Sequence, residues 1–245
     1  APALTLPGNV DSNSPMLWDL ADGQQQLFVL TSHSGVPSVS AGLAVERLGA
    51  IGEVSLLPHP GYGVWMEAMV ADQAGTWYGY YHNEWPATAC GRNDRFVPRI
   101  GAAKSTDQGR SWQDLGIILQ AAQSTTACAS SNRYVIGGVG DLSVMLDRNG
   151  KYLYLFYSQY QQQREAQGVA VARLVWADRD RPTGRLAIWR NTTWEPNTGR
   201  REFSPALPGT MRRKLEWTYP AATPLVATTQ AWHDNDDKVD AFWGP

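Results

Sequence analysis

Charge is scarce in this sequence. Asp, Glu, Lys and Arg make up 18% of its 245 residues, against roughly 25% in an average soluble protein, and the net charge is −2. That excludes the broad positive field by which a protein is drawn to nucleic acid or to an anionic membrane surface. The two basic concentrations, "DRDRPTGR" and "MRRKLEW", are mixed with acids or set in polar text and read as solvated surface. Long apolar runs are missing as well, and none approaches the roughly 18 residues of a membrane span. No stretch carries three turns of amphipathic helix, because Pro and Gly interrupt the candidates. Cysteine is reduced to Cys90 and Cys128, each without a His or a second Cys at metal-ligand spacing, so a zinc site is not expected. A disulfide between their two loops is the expectation, and it suits an exported protein; two buried thiols are the alternative. The acidic "HDNDD" at 233–237 lacks the alternating ligands and the Gly of a calcium loop and reads as a solvated turn. Neither a metal nor a cofactor is expected.

What the chain has in plenty is turn residues and aromatic rings: 23 Gly, 15 Pro, 11 Trp and 10 Tyr, with 43% hydrophobic residues. That composition describes one large folded domain, 1–245, whose flat rings fill a core or stack on a ligand such as a sugar. The opening "APALTLPGNV" has no initiator Met and no leader pattern, so it reads as a processed terminus or the edge of a fragment. A secreted or periplasmic monomer is expected. "NTT" at Asn191 is a glycosylation acceptor pattern of the kind that also arises by chance.

Three segments follow one plan: "SPMLWDLADGQQQLFVLTS", "EAMVADQAGTWYGYYH" and "DLSVMLDRNGKYLYLFYSQ". Each runs from a short alternating stretch through an Asp and Gly turn into an aromatic run, which superposes Asp22, Asp72 and Asp147. The Gly that follows supplies the positive φ of a hairpin turn. The runs are too short for helices and rich in strand formers. "PRIGAAKST" and "QGVAVARLVWA" add further strands. Antiparallel units repeating about every 40 to 60 residues predict an all-β fold, a β-propeller, with a sandwich as the rival. The blades are expected at about 10–55, 60–120 and 137–195. The text after 195 reads as loop, and "AFWGP" at 241–245 as the first strand of another blade, so the expectation is either that the C-terminal region hides a blade or that the chain is a fragment of a longer propeller.

The repeat also places acids alike. Glu67 and Asp141 open the first strands of their units, and Asp11 precedes that of the first. Strands of this kind line the central channel of a propeller, where three carboxyls would meet. Glycoside cleavage needs such a set: one acid protonated to assist the leaving group, one ionised to activate water or attack the sugar. A third acid nearby would tune the proton donor. Each has a plainer reading, since Asp is a common turn residue; for Glu67, in apolar text, a buried carboxylate would be costly unless it served a purpose. His33, His82 and Glu84, placed after second strands, and Trp18, Trp65, Trp85 and Arg99 are candidate substrate contacts, with core or loop roles as alternatives. Arg99 would otherwise pair with Asp94.

"NSPMLWD", "WMEAMVADQAGTWYGYYHNE", "RIGAAKSTDQGRSW" and "GGVGDLSVMLDRNGKYLYLFYSQY" together resemble a bacterial group of five-bladed propeller proteins. These are related in architecture to glycoside hydrolase family 43 and its relatives, the arabinanases, xylosidases and arabinofuranosidases. The likeness runs over residues 10–180 and the final "DAFWGP". It implies an inverting mechanism with an Asp base, an orienting Asp and a Glu acid, types that Asp11, Asp141 and Glu67 match, although here the Glu comes second where the family usually runs Asp, Asp, Glu. It also implies that most of blades four and five is lacking. The octapeptide "STDQGRSW", Ser105 to Trp112, resembles the Asp-box of sialidase-like propellers, in which Asp107 would accept backbone N–H groups, Gly109 take a positive φ and Trp112 pack beneath the turn. The resulting expectation is a glycosidase acting on an oligo- or polysaccharide, with pentose units implied by that likeness. A non-catalytic sugar-binding propeller and a protein-interaction propeller are the rivals. Carboxyls about 6.5 to 9.5 Å apart would mean inversion and about 5 Å retention.

Overall fold

The hairpins set out by the Asp and Gly turns are the frame of the molecule. In the computed structural model, residues 6–57, 61–196, 198–203 and 214–227 are described. Among them are strands and single 3-10 turns but no α-helix, so the fold is all-β. The expected strand at 241–245 and turn at 233–237 lie outside the described residues.

The first sheet holds β1 (Met16–Ala21), β2 (Gln24–His33), β3 (Val36–Gly42) and β4 (Gly49–Glu53) in chain order. Its two tight turns have positive φ at both central residues, Asp22 (51°) with Gly23 (76°) and Ser34 (51°) with Gly35 (76°). That is the type I′ geometry matching the twist of the flanking strands. The second sheet comprises β5 (Ser55–Leu57), β6 (Val64–Ala71), β7 (Trp77–Pro86), β8 (Phe96–Ser105) and β9 (Ser111–Leu119), in the order β5-β9-β8-β7-β6. Here β5 runs parallel to β9 and the β6–β7 pair is antiparallel. The third contains β10 (Val139–Leu146), β11 (Tyr152–Gln159), β12 (Gly168–Val175), β13 (Ala187–Arg190) and β14 (Thr193–Pro196).

The region after 195, expected as loop, contains three more strands among the described residues. These are β15 (Arg200–Phe203), β16 (Leu215–Thr218), which pairs with it, and β17 (Val226–Ala227), which pairs with β12. They are two to four residues long, too short for an alternating pattern to register in the sequence.

By packing, the chain divides into two compact units, Ala1–Asn83 with Gly101–Gly116 and Glu84–Ile100 with Ile117–Pro245. In the first, Phe28, Met66, Trp77, Tyr81 and Trp112 are buried, with Phe28 edge-on to Trp77 at 5.1 Å. The Trp77 indole N–H donates to Asp19 Oδ2 (2.8 Å), giving the ring's polar atom its partner. In the second, period-two alternation on β11 sends Leu153, Leu155 and Tyr157 to one face, opposite Leu174, Ala172 and Ala170 of β12. All six are buried, and each large side chain removed from water contributes about 1.5–3 kcal/mol. The opposite face of the same sheet is half-buried, and there the Arg173 guanidinium lies 4.3 Å from the ring centres of both Tyr152 and Trp194. Cys90 and Cys128 are joined as expected, with Cα atoms 5.3 Å apart across 38 residues of chain. A cross-link of that span stabilises by about 4 kcal/mol in the chain-entropy account.

The octapeptide turn joins β8 to β9. Asp107 Oδ1 accepts from Ser105 Oγ (2.7 Å) and Ser111 N (2.9 Å), while Oδ2 accepts from Ser111 Oγ. Gly109 has a φ of 81°. The buried Trp112 donates its indole N–H to Gly109 O (2.9 Å) from beneath the turn. Burial works to raise the Asp107 carboxyl, but hydrogen bonds from Ser111 and Ser105 outweigh it and hold the group below the usual carboxylate range.

Candidate active site

Glu67 owes its position to an error in the β6–β7 ladder. Val64, Trp65 and Met66 pair in sequence with Asn83, His82 and Tyr81, and then Ala68 pairs with Tyr80, leaving Glu67 as the extra residue. A bulge of this kind re-aims one side chain and is common beside functional sites. Glu67 is only 7% exposed, and its Oε2 accepts the backbone N–H of Asn13 at 3.2 Å.

Asp141 stands at the matching place in the third sheet. Gly140 pairs with Ser158 and Leu142 with Tyr157, so Asp141 is again the extra residue, with a φ of 44°. Its Oδ2 accepts from the hydroxyl of the buried Tyr160. The first sheet has a related irregularity. Leu30 N donates to Pro15 O and Asp11 N to Ser32 O, so residues 12–14 stand opposite Thr31 alone. The strand-start expectation is therefore refined: Glu67 and Asp141 lie inside their strands, at equivalent bulges, and Asp11 lies beyond an irregular stretch before β1.

Asp11 is held by donors from two distant segments. Its Oδ1 accepts the Trp65 indole N–H at 2.8 Å and its Oδ2 the Ser34 N–H at 2.9 Å. His33 Nδ1 is 3.7 Å from Oδ2, and both side chains are about half exposed, 52% for His33 and 43% for Asp11. The β2–β3 turn explains two of these neighbours, because its left-handed Ser34 points the N–H at the carboxylate. Serines complete the attachment: Ser32 N donates to Ser12 Oγ (3.1 Å), and Met66 N donates to Ser32 Oγ (3.0 Å). Residues 11–13, 32–34 and 65–67 are thus fastened together within the first unit. His82, buried at 6% exposure, meets Trp65 edge to face with ring centres 5.5 Å apart. It sits inside β7 rather than after it, as does Glu84, because that strand runs further than its aromatic core suggests.

The remaining candidates are placed differently. Trp18 is 50% exposed on β1, paired with Leu27. Trp85 is buried in the second unit beneath Arg99, whose guanidinium carbon is 3.7 Å from the ring centre. Arg99 is 2% exposed and donates to Glu216 Oε2 (3.1 Å) and Gln120 Oε1 (3.4 Å). Asp94, the alternative partner read for it, is engaged by Arg92 (3.1 Å) and Arg95 (2.6 Å). The sequence could not show this, since Glu216 lies 117 residues from Arg99. Sequence reasoning also passed over Asn13, Ser32, Ser34 and Tyr160. No group of three or more His, Cys, Asp or Glu residues that could hold a metal is found among the described residues. No described helix is long and apolar enough to cross a membrane.

No protein-family model and no curated protein matches the chain. Among solved structures it is similar to a thermostable family-43 glycoside hydrolase at 12% identity, over 65% of this chain and 49% of that one, with a TM-score of 0.42. It is similar also to an exo-β-1,3-galactanase from Phanerochaete chrysosporium at 12% identity, over 88% and 52%, with a TM-score of 0.46. An endo-arabinase from Bacteroides thetaiotaomicron matches at 10% identity, over 87% and 75%, with a TM-score of 0.43. The chain spans about half the length of the first two. Likenesses of this grade do not assign a family.

Proposed function

We propose that the chain carries the acid and base of a glycosidase that cleaves an oligo- or polysaccharide, within a five-bladed propeller plan. The observation that carries this reading is the double tie between residues 11–13 and 65–67. Trp65 bonds Asp11 and Asn13 bonds Glu67, so two carboxyls of opposite exposure stand on adjoining segments. Hydrolysis of a glycosidic bond asks for that contrast. A carboxyl shielded from water, Glu67, suits the proton donor to the leaving oxygen. An exposed carboxylate gripped by N–H donors, Asp11, suits the base that takes a proton from the attacking water.

Asp141, in the second unit, is proposed as a functional acid on the strength of its equivalent bulge, and an orienting role for it follows from the family resemblance alone. Trp18, His33 and His82 are proposed as sugar contacts, and a pentose-containing substrate follows from the family resemblance alone. The Ser105–Trp112 turn, taken as an Asp-box, has a structural part in this reading. Secretion or a periplasmic location is proposed because the Cys90–Cys128 bond suits an oxidising compartment.

The test is a panel of plant and bacterial glycans assayed for reducing-end release by the unaltered protein and by Asp11→Asn, Glu67→Gln and Asp141→Asn. Release is expected from at least one glycan, falling about 100- to 10,000-fold for Asp11→Asn and Glu67→Gln. Release that survives both changes would overturn the assignment. Glycan retention in affinity electrophoresis with no release by the unaltered protein would favour a binding module instead.

A further inference from the structure

Trp65 looks, from the sequence, like a ring on which a sugar would stack, yet its hydrogen-bonding atom is turned to Asp11. The indole N–H to Asp11 Oδ1 bond is 2.8 Å long and joins residues 54 apart. The ring's place is fixed by its other neighbours. A Cβ added at Gly63 would lie 2.6 Å from ring atom Cζ3 and 2.7 Å from Cη2, so the ring fills the space that a side chain there would need. Gly63 in turn packs on Gly35, where a Cβ would come within 2.4 Å of the Gly63 Cα. On another side His82 meets the ring edge to face. A ring confined by Gly63 and His82 carries its N–H in a fixed direction, as a preorganised donor should.

From this geometry we infer that Trp65 is the positioning residue for the Asp11 carboxylate, acting through its N–H and not by stacking on sugar. The inference rests on the glycosidase reading for its consequence in turnover, but not for the contact itself. With Ser34 N on Oδ2 and Trp65 Nε1 on Oδ1, both oxygens are anchored and the carboxylate cannot rotate. Lone pairs on a carboxylate held in this way are left to accept from an attacking water in the glycosidase reading. Trp65 makes no bond to substrate in this role and is not itself a catalytic residue.

Two substitutions separate the N–H from the ring. Trp65→Phe keeps an aromatic face and removes the donor; Gly63→Ala keeps the indole and displaces it. Both are expected to lower kcat by about 10- to 100-fold, the effect of misplacing a reacting group by about 1 Å, with KM within about twofold. A stacking role predicts that Trp65→Phe, which still offers an aromatic face, retains kcat and KM close to those of the unaltered protein, and that result would overturn the inference. The indole N–H proton resonance of Trp65, assigned by its loss in Trp65→Phe, supplies a readout free of turnover. It is expected downfield in the unaltered protein and shifted upfield in both Asp11→Asn and Gly63→Ala. A resonance unmoved by Asp11→Asn overturns the inference even if no glycan is cleaved. Absent turnover with a moved resonance removes the glycosidase reading and leaves the contact standing.

Discussion

Asp107 and Asp11 are both aspartates gripped by hydrogen-bond donors, and they differ in where those donors come from. Every hydrogen bond to the Asp107 side chain arises within four residues, from Ser105 and Ser111. Those to Asp11 arrive from Ser34 and Trp65, 23 and 54 residues away. An acid satisfied by its own turn stabilises that turn and needs nothing else from the fold. An acid satisfied by remote segments exists in its geometry only once the sheets have assembled, and its carboxylate still meets solvent. The first arrangement is architecture; the second is the kind that the proposed site requires.

Substitution at the two places should break this comparison apart if it is wrong. The largest effect expected is on turnover: Glu67→Gln and Asp11→Asn should each reduce glycan release about 1,000-fold while leaving the melting temperature within a few degrees. Asp107→Asn should do the opposite, lowering unfolding free energy by about 1–2 kcal/mol through its lost turn bonds, with kcat unchanged; denaturant titration and steady-state kinetics on the same samples check both. The smallest effect is one of pH. Because the Asp107 carboxyl is held below its ordinary value, its contribution is fully present above the unfolded group's titration near 4 and is lost as pH falls through the lower folded value. The stability gap between the unaltered protein and Asp107→Asn should therefore be constant from neutral pH down to about 5 and narrow below about 4. A gap that widened in acid would mean that the charged form is not the stabilised one.

The same contrast explains what was legible in the sequence. The Asp and Gly turns are local, and at Asp72 and Asp147 the side chains accept backbone N–H groups within the turn, from Ala74 and Thr76 in one and from Lys151 and Tyr152 in the other. Alternation on β11 and the octapeptide turn were legible for the same reason. The three candidate acids were picked out by repeat position, but the bulges at Glu67 and Asp141 were not legible, since a ladder irregularity exists only relative to the partner strand. The Trp65 N–H bond to Asp11 was not legible, because residue type suggests stacking whereas the partner of an indole N–H is set by tertiary contact. Arg99 shows the limit from the other side: a buried guanidinium over Trp85 is completed by Glu216, which no spacing rule connects to it.

The most direct test of the central claim, that Glu67 donates the proton to the leaving oxygen, is the dependence of the Glu67→Gln defect on the leaving group. A natural glycosidic bond departs as a poor leaving group and needs the proton; an aryl glycoside with a nitrophenolate leaving group does not. The kcat/KM of Glu67→Gln relative to the unaltered protein should fall about 1,000-fold on the glycan and by less than about tenfold on the activated aryl glycoside. An equal loss on both substrates would contradict the claim and return Glu67 to a structural part at its bulge.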